Sequence, residues 1–388
     1  MLFGADPALV AGPFPEGGKC REMYLRKLSL INFKNITQGD IELSPGINCF
    51  TGCNGAGKTN IIDAVYYLSM CKSSLTMTDG QSVRHGEDFF MLNGDYITDA
   101  DSHEVVTCSF KRSAGKTLKR NSKEYERLSD HIGVVPSVIV SPGDVFLVND
   151  AAEERRKWLN SFISQTDRQY LDALIRYNRA LAERNRLLKH GANGELMEVF
   201  DEQLSMHGNL IFERRGSAIE RLGPIVGEYY KAISGDREQV ELTYRSELHK
   251  MPFADLLLMT RDKDMATQFT TSGVHRDDMV MKIGGYPLRK YGSQGQQKSF
   301  LIALKLAQYT MLSDSGGERP ILLLDDLFDK LDTARLEALI NLVDDGRFGQ
   351  IIISDCNRQR LTSVLDSCGA GYRLCEVDGG EVNHCQGE

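Results

Sequence analysis

Eight consecutive residues, Gly52-Cys-Asn-Gly-Ala-Gly-Lys58-Thr59, restrict this chain more than any other feature. Backbone N–H groups that close around phosphates need glycines at these spacings and a position between a strand end and a helix N-terminus. The flanks comply. Gly46-Ile-Asn-Cys-Phe reads as an apolar strand, and from Asn60 to Leu68 the residues Ile61, Val65 and Leu68 share one helical face. The segment therefore predicts a strand, a loop and a helix, with Gly52, Asn54, Gly55, Gly57, Lys58, Thr59 and Asn60 around a nucleotide. Lys58 would neutralise the β- and γ-phosphates and the Thr59 hydroxyl would ligate magnesium.

A second signal stands far downstream. Ile321-Leu-Leu-Leu runs into Asp325-Asp326, and paired carboxylates at a strand end can hold hydrated magnesium and orient an attacking water. Asp325 is assigned to magnesium with Thr59. Asp326 is assigned to catalysis with Lys58, as general base or water-positioning group; the plainer alternative makes it an acidic strand end that caps the next turn. Gln350-Ile-Ile-Ile is another fully apolar run, and between the two Leu336, Leu339, Ile340 and Val343 fall at helical spacing. Such runs predict an α/β chain with a parallel sheet buried on both faces. Asp332 reads as the N-cap of the helix from Thr333, or as cap and interface residue together.

The middle differs in kind. Leu171, Leu174, Asn178, Leu181, Asn185 and Leu188 alternate three and four apart before His190-Gly-Ala-Asn-Gly interrupts them and a second helical stretch starts at Glu195. This predicts an antiparallel helical hairpin with those residues at its seam, as a coiled coil or as the face of an ordinary helical domain. Residues 1–22, rich in Gly, Pro and Ala without period, are expected to be a disordered extension, and Met23 is an alternative start. The expected division is a nucleotide-binding head over 23–150 and 265–388, with a helical lid or arm inserted at 151–264.

At 388 residues and 41% hydrophobic content, the chain can bury a core in each of two domains. No apolar run approaches the roughly 20 residues that cross a bilayer, and the start lacks the parts of a signal peptide, so a cytoplasmic protein without membrane contact is expected. The nine cysteines form no CxxC pair, which predicts reduced thiols. A net charge of -8 excludes a polycation that grips nucleic acid with its whole surface. Two basic stretches are candidate phosphate-contacting patches: Lys111, Arg112, Lys116, Lys119, Arg120, Lys123 and Arg127, and then Arg155, Arg156, Lys157, Arg168, Arg176, Arg179, Arg184, Arg186 and Lys189. A merely solvated face is the alternative for each. Lys34, behind the apolar, strand-like run Met23-Tyr-Leu-Arg-Lys-Leu-Ser-Leu-Ile-Asn-Phe, is a candidate nucleotide-phosphate contact.

Ser293-Gln-Gly-Gln-Gln opens the apolar-periodic segment Phe300 to Leu312. Lying between the phosphate loop and the carboxylate strand, this turn resembles the ABC signature motif, which grips the γ-phosphate bound to the opposite protomer. The resemblance adds Ser293, Gly295 and Gln296 to the nucleotide-binding set and implies an ATP-sandwiched dimer. From Tyr24 to about Asp378 the chain resembles the RecF family of the SMC/RecF/RecN group. The motifs are Leu28-Ser-Leu-Ile-Asn-Phe-Lys-Asn, Gly55-Ala-Gly-Lys-Thr-Asn, Val140-Ser-Pro-Gly-Asp, Arg155-Arg156, Ser272-Gly-Val-His-Arg-Asp-Asp, Ser293-Gln-Gly-Gln-Gln-Lys and Leu324-Asp-Asp-Leu-Phe-Asp-Lys-Leu-Asp.

That resemblance implies an ABC-type ATPase head with an inserted, coiled-coil-like helical hairpin, and ATP and Mg2+ as cofactors. It implies a weak, DNA-stimulated ATPase that forms an ATP-dependent homodimer on duplex DNA near single-strand gaps. It also implies RecR- and RecO-like mediators as partners, and RecA indirectly, in DNA replication, DNA repair and the SOS response. The alternative is an ABC-type ATPase that works as a protein-interaction switch without intrinsic DNA affinity. Pro142 stands where SMC-type heads carry Gln, Ser354-Asp355 stand where the ABC switch His would be, and Asp326 replaces the usual ABC Glu, as in RecF. His275-Arg276-Asp277-Asp278 stays open between interface, nucleotide and structural salt-bridge roles.

Overall fold

The first apolar stretch forms β1 (Met23–Phe33), which pairs antiparallel with β2 (Ile36–Glu42). The computed structural model describes residues 21–99, 101–191, 194–235, 238–327, 331–344 and 346–387. β3 (Ile47–Thr51) enters the glycine loop and α1 (Lys58–Met70). β4 (Phe89–Thr98), β5 (His103–Lys111), β6 (Gly115–Arg120) and β7 (Lys123–Glu124) extend the first pair into an antiparallel sheet of order β2-β1-β4-β5-β6-β7. β8 (Ser137–Val140) leads to α2 (Val145–Asn149), α3 (Ala152–Ile163), α4 (Arg168–His190) and α5 (Gly194–Ser234). Next come β9 (Val240–Arg245), α6 (Phe253–Thr267), β10 (Asp278–Ile283), β11 (Tyr286–Pro287), α7 (Leu288–Tyr291) and α8 (Gln294–Ser313). The chain closes with β12 (Ile321–Asp325), α9 (Thr333–Val343), β13 (Ile351–Asp355), α10 (Arg358–Cys368), β14 (Tyr372–Asp378) and β15 (Glu381–Gln386).

The last strands recruit β3 and β8 into one sheet of order β15-β14-β3-β13-β12-β8, parallel except where β14 meets β15. The two chemistry-bearing ends of the sequence thus share a sheet. Side-chain alternation along β12 explains its composition. Ile321 and Leu323 pack with Phe50, Ile61 and Val65 in a core between this sheet and the antiparallel one, with α1 inside it. Leu322 and Leu324 face the other way, toward Phe300 and Leu304 of α8, Leu336 of α9 and Leu361 of α10. A strand buried on both faces has no polar side to show. The expected α/β head with an inserted helical hairpin is the observed fold.

Four expectations need correction or completion. The hairpin of α4 and α5 forms, but its seam is shifted by one residue from Tyr170 to Arg184 and meets the expected one at Leu188: Tyr170, Ala173, Tyr177, Ala180, Arg184 and Leu188 are the buried positions, and Asn178 is exposed. Counting leucines misses this seam because aromatic rings and one ion-paired arginine fill it. Tyr177 packs against Phe253 and His275, and Arg184, fully buried, bonds Asp201 at 2.6 Å and Asp264 at 2.7 Å. The stretch 151–264 also contains β9, which pairs with β10 in a small sheet of order β11-β10-β9. The thiols are not all reduced: Cys375 and Cys385 form a disulfide across β14 and β15, whose Cα atoms lie 4.1 Å apart. Residues 1–20, most of the expected disordered extension, lie outside the described residues. Arg21 and Glu22 are docked, the former through Arg319 N–H to Arg21 O at 2.8 Å and an ion pair with Glu318 at 3.0 Å. No described helix is long and apolar enough to cross a membrane.

Candidate active site

The phosphate loop is tied down from three sides. Gly52 has φ +154°, and a Cβ there would lie 2.1 Å from the Val377 carbonyl, so only glycine lets β14 pack so close. Gly57, at φ +119°, precedes α1 where a Cβ would meet Asn35 at 3.0 Å. The turn between β14 and β15 adds a hydrogen bond from Gly380 N–H to Ala56 O at 2.8 Å. Lys58 is mostly buried and donates from Nζ to Gly52 O at 2.7 Å and Cys53 O at 2.9 Å, which curls the loop around its ammonium group. Asn35, overlooked at the sequence level, donates to Gly55 O at 3.2 Å and accepts from Asn60 Nδ2 at 2.7 Å. Its signal was present, as the last residue of the quoted motif beginning at Leu28.

Parallel pairing of β12, β13 and β3 brings the carboxylates to this loop. Thr59 Oγ1 donates to Asp325 Oδ1 at 3.0 Å, and Ser354 Oγ donates to the same oxygen at 2.5 Å. Burial pushes the Asp325 carboxyl above its ordinary value, while the bonds from Ser354 and Thr59 oppose that shift. A hydroxyl and a buried carboxylate in contact form the hard-oxygen donor set that magnesium takes, so these residues fit the metal. Asp326 adopts φ +47°. Its N–H donates to Ser354 O at 3.0 Å, and its buried Oδ1 has no hydrogen-bond partner among the described residues. It lines a cleft of about 170 Å³ with Asn54, Gly55, Gly57, Lys58, Thr59 and Asn60. A larger cleft of about 960 Å³ beside it is lined by Lys34, Asn35, Arg84 and His85. Lys34 does not hold its charge out for a phosphate, because Nζ is paired with buried Asp63 at 2.6 Å.

Ser293, Gly295 and Gln296 are brought together elsewhere. Ser293 is exposed and caps α8, with its Oγ accepting from Gln296 N–H at 3.2 Å. None of the three lines the cleft at the phosphate loop. Asp332 caps α9 by accepting from Arg335 N–H at 3.0 Å. Phe328, Asp329 and Lys330, from the motif that begins at Leu324, lie outside the described residues.

The block from His275 to Asp278 ties α3, α4 and β9 to the chain that enters β10. His275 Nε2 donates to Thr270 O at 3.0 Å, so Nδ1 is the acceptor for the Tyr177 hydroxyl at 2.7 Å. Asp278 binds Arg155 at 2.6 Å and Arg245 at 2.9 Å, and Arg156 donates to Asp277 O at 2.7 Å. Several members of the basic stretches are ion-paired within the chain. Arg184 is buried, Lys116 pairs with Asp79, Arg120 with Glu104, and Arg168 with Asp130. Lys111, Lys123, Arg127, Arg176, Arg179 and Lys189 have no ion pair among the described residues.

Comparison with known proteins gives a consistent neighbourhood. Residues 24–370 match the RecF/RecN/SMC N-terminal domain. The chain is 46% identical to the DNA replication and repair protein RecF of Parabacteroides distasonis over 93% of this chain and 99% of the relative. It is 45% identical to RecF of Bacteroides thetaiotaomicron, over 94% and 100%. A solved structure of the recombination mediator protein RecF-ATP in the RecFOR pathway aligns with TM-score 0.84 and 28% identity, covering 93% of this chain and 97% of the other. An Smc head domain from Pyrococcus furiosus, 16% identical with TM-score 0.57 over 94% of this chain and 96% of the other, shares the fold.

Proposed function

This chain belongs to the RecF family of DNA replication and repair proteins, and from that premise we propose that it is an ABC-type ATPase of recombinational repair whose ATP-bound form is a homodimer. The observation that carries the reading is the separation of two half-sites on one chain. Lys58, Thr59 and Asp326 line the cleft at the phosphate loop, with Asp325 bonded to Thr59, while Ser293 stands exposed at the N-terminus of α8. A helix N-terminus favours an anion. A second copy, related by a two-fold axis, would bring that terminus to the γ-phosphate held by the first.

ATP would lie with its triphosphate in the loop, where Lys58 exchanges the carbonyls of Gly52 and Cys53 for phosphate oxygens, and with its base toward the cleft at Lys34 and Arg84. Thr59 and Asp325 would hold Mg2+, which when bound neutralises charge on the β- and γ-oxygens. Asp326 would align the attacking water and accept its proton as the bond from the γ-phosphorus to the ADP oxygen breaks. An aspartate, shorter than glutamate, holds that water less closely, which suits a slow switch. The head would span 23–150 and 265–388 and the arm 151–264, and the dimer would act on duplex DNA near single-strand gaps, with RecR- and RecO-like mediators, to help load RecA. The internal pairing of Arg155, Arg168 and Arg184 favours a second reading, a protein-interaction switch without DNA affinity.

Ser293→Arg tests the central claim. It leaves Lys58 and Thr59 untouched, so calorimetry should find ATP affinity within about twofold of the parent, while sedimentation with ATP and Mg2+ should find only monomer. A variant that still dimerises with ATP would overturn the two-copy site.

A further inference from the structure

The turn at Ser293 is held by a short closed set of hydrogen bonds, and one of its members comes from far away. Ser293 N–H donates to Gln296 Oε1 at 2.7 Å, and Gln296 N–H donates back to Ser293 Oγ at 3.2 Å. This capping box uses the oxygen of the Gln296 amide and turns its nitrogen outward. Nε2 donates to Glu238 Oε1 at 2.8 Å, and the other oxygen, Glu238 Oε2, accepts from the Tyr230 hydroxyl at 3.1 Å. A carboxylate can only accept, so Glu238 selects the amide orientation that caps the turn. The flipped amide would set Nε2 against Ser293 N–H, donor against donor, and Oε1 against the carboxylate. On the other side of the turn, the Arg335 guanidinium lies where a Cβ on Gly295 would be, 2.5 Å away.

Both Tyr230 and Glu238 belong to the arm's side of the molecule. Tyr230 is buried near the end of α5, beside Phe300 of α8, and α5 is the long helix that returns from the hairpin. Glu238 lies in the connection from α5 to β9. We propose that Glu238 is a positioning residue for the nucleotide bound by a second copy of this chain: it fixes the Gln296 amide and ties the turn that presents Ser293 to the end of the arm helix. The inference rests on the two-copy site proposed above. It adds that the seating of α5 against α8 sets whether Ser293 and the first N–H groups of α8 point at that nucleotide.

Glu238→Ala removes the acceptor, whereas Glu238→Gln keeps a carbonyl oxygen that can accept from Gln296 Nε2. With the full-length chain, calorimetry should give parental ATP affinity for both variants, since neither touches the phosphate loop. Sedimentation with ATP and Mg2+ should show the dimer of the Ala variant weakened about tenfold, the scale of losing one hydrogen bond to a charged group. Its turnover should fall at low protein concentration and recover at high concentration, while Glu238→Gln stays within about threefold of the parent. Urea unfolding of each variant separates this from lost stability, which would not recover with protein concentration. Parental dimerisation by Glu238→Ala, or a Glu238→Gln defect equal to that of Ala, would overturn the proposal. If Ser293→Arg blocks dimerisation while Glu238→Ala is silent, only the positioning role falls; if Ser293→Arg dimerises, the two-copy site falls and this role with it.

Discussion

Asp326 occupies the left-handed region at φ +47°, a conformation uncommon for non-glycine residues and most tolerable for Asp and Asn. Pairing of β12 with β13 holds it there, through its N–H to Ser354 O at 3.0 Å, and the backbone turn aims the carboxylate into the cleft beside Lys58 and Thr59. Replacement by Asn keeps size and conformational tolerance but removes the carboxylate that the proposed mechanism uses as proton acceptor. Turnover should fall roughly 10²- to 10⁴-fold with ATP affinity retained, and the ATP-bound dimer should persist longer in gel filtration; parental turnover in a phosphate-release assay would assign the water to another group. His131 offers a second residue-scale test. Fully buried, it donates from Nε2 to Leu68 O at 2.7 Å, and burial lowers its pKa from 6.5 to about 4. The unfolded chain then binds more protons between about pH 4 and 6.5, so stability falls as pH drops through that window and is insensitive to this group above it. His131→Gln keeps a donor for Leu68 O but cannot titrate. Its unfolding free energy should depend on pH less steeply than the parent's by up to one proton between pH 5 and 6.5, as read by urea titration at several pH values.

At the scale of elements, the hairpin is joined to its neighbours by charges buried in a seam expected to be made of leucines and asparagines. Arg184, on α4, bridges Asp201 of α5 and Asp264 of α6, with Arg184 and Asp264 wholly inaccessible. Removing the guanidinium in Arg184→Ala leaves the buried Asp264 carboxylate without its counter-ion, while Asp201 keeps its ion pair with Arg261 at 2.9 Å. We expect a loss of about 3–5 kcal/mol in urea unfolding, with ATP binding at the phosphate loop intact in the fraction that folds; a loss below about 1 kcal/mol would mean that water reaches the seam. The strands and helices of the head were legible because period and length identify them: β12 and β13 are uninterrupted apolar runs, and α9 repeats leucine at helical spacing. The seam of α4 was misread by one residue for a physical reason. Tyr170, Tyr177 and Arg184 are amphipathic, and their burial depends on partners at Asn160, His275 and Asp264 that no local pattern reveals.

For the whole molecule, the distribution of paired and unpaired cations decides where DNA phosphates could bind on the proposed reading. Lys111, Lys123 and Arg127, at the β5–β7 side of the antiparallel sheet, have no internal ion pair among the described residues, whereas Arg155 is bound to Asp278. In gel shifts with gapped duplex, each of those three changed to Ala should reduce the slope of log affinity against log salt by roughly one, while Arg155→Ala should lower thermal stability and leave the slope unchanged. An unchanged slope in all three, or no binding with ATP, would favour the protein-interaction switch. The α/β head, the phosphate loop with Lys58 and Thr59, the strand ending in Asp325-Asp326 and the helical hairpin are legible along the chain, because each is written in contiguous residues whose spacing matches a strand, a loop or a helix. It takes the packed fold to show that Asn35 braces the loop, that Ser354 bonds Asp325, that Lys34 is spent on Asp63, that Cys375 meets Cys385, and that Glu238 holds Gln296. These are pairings between side chains from separate elements, and their partners are chosen by how sheets and helices stack; a one-dimensional pattern records each residue's own preference but not the neighbour that folding places beside it.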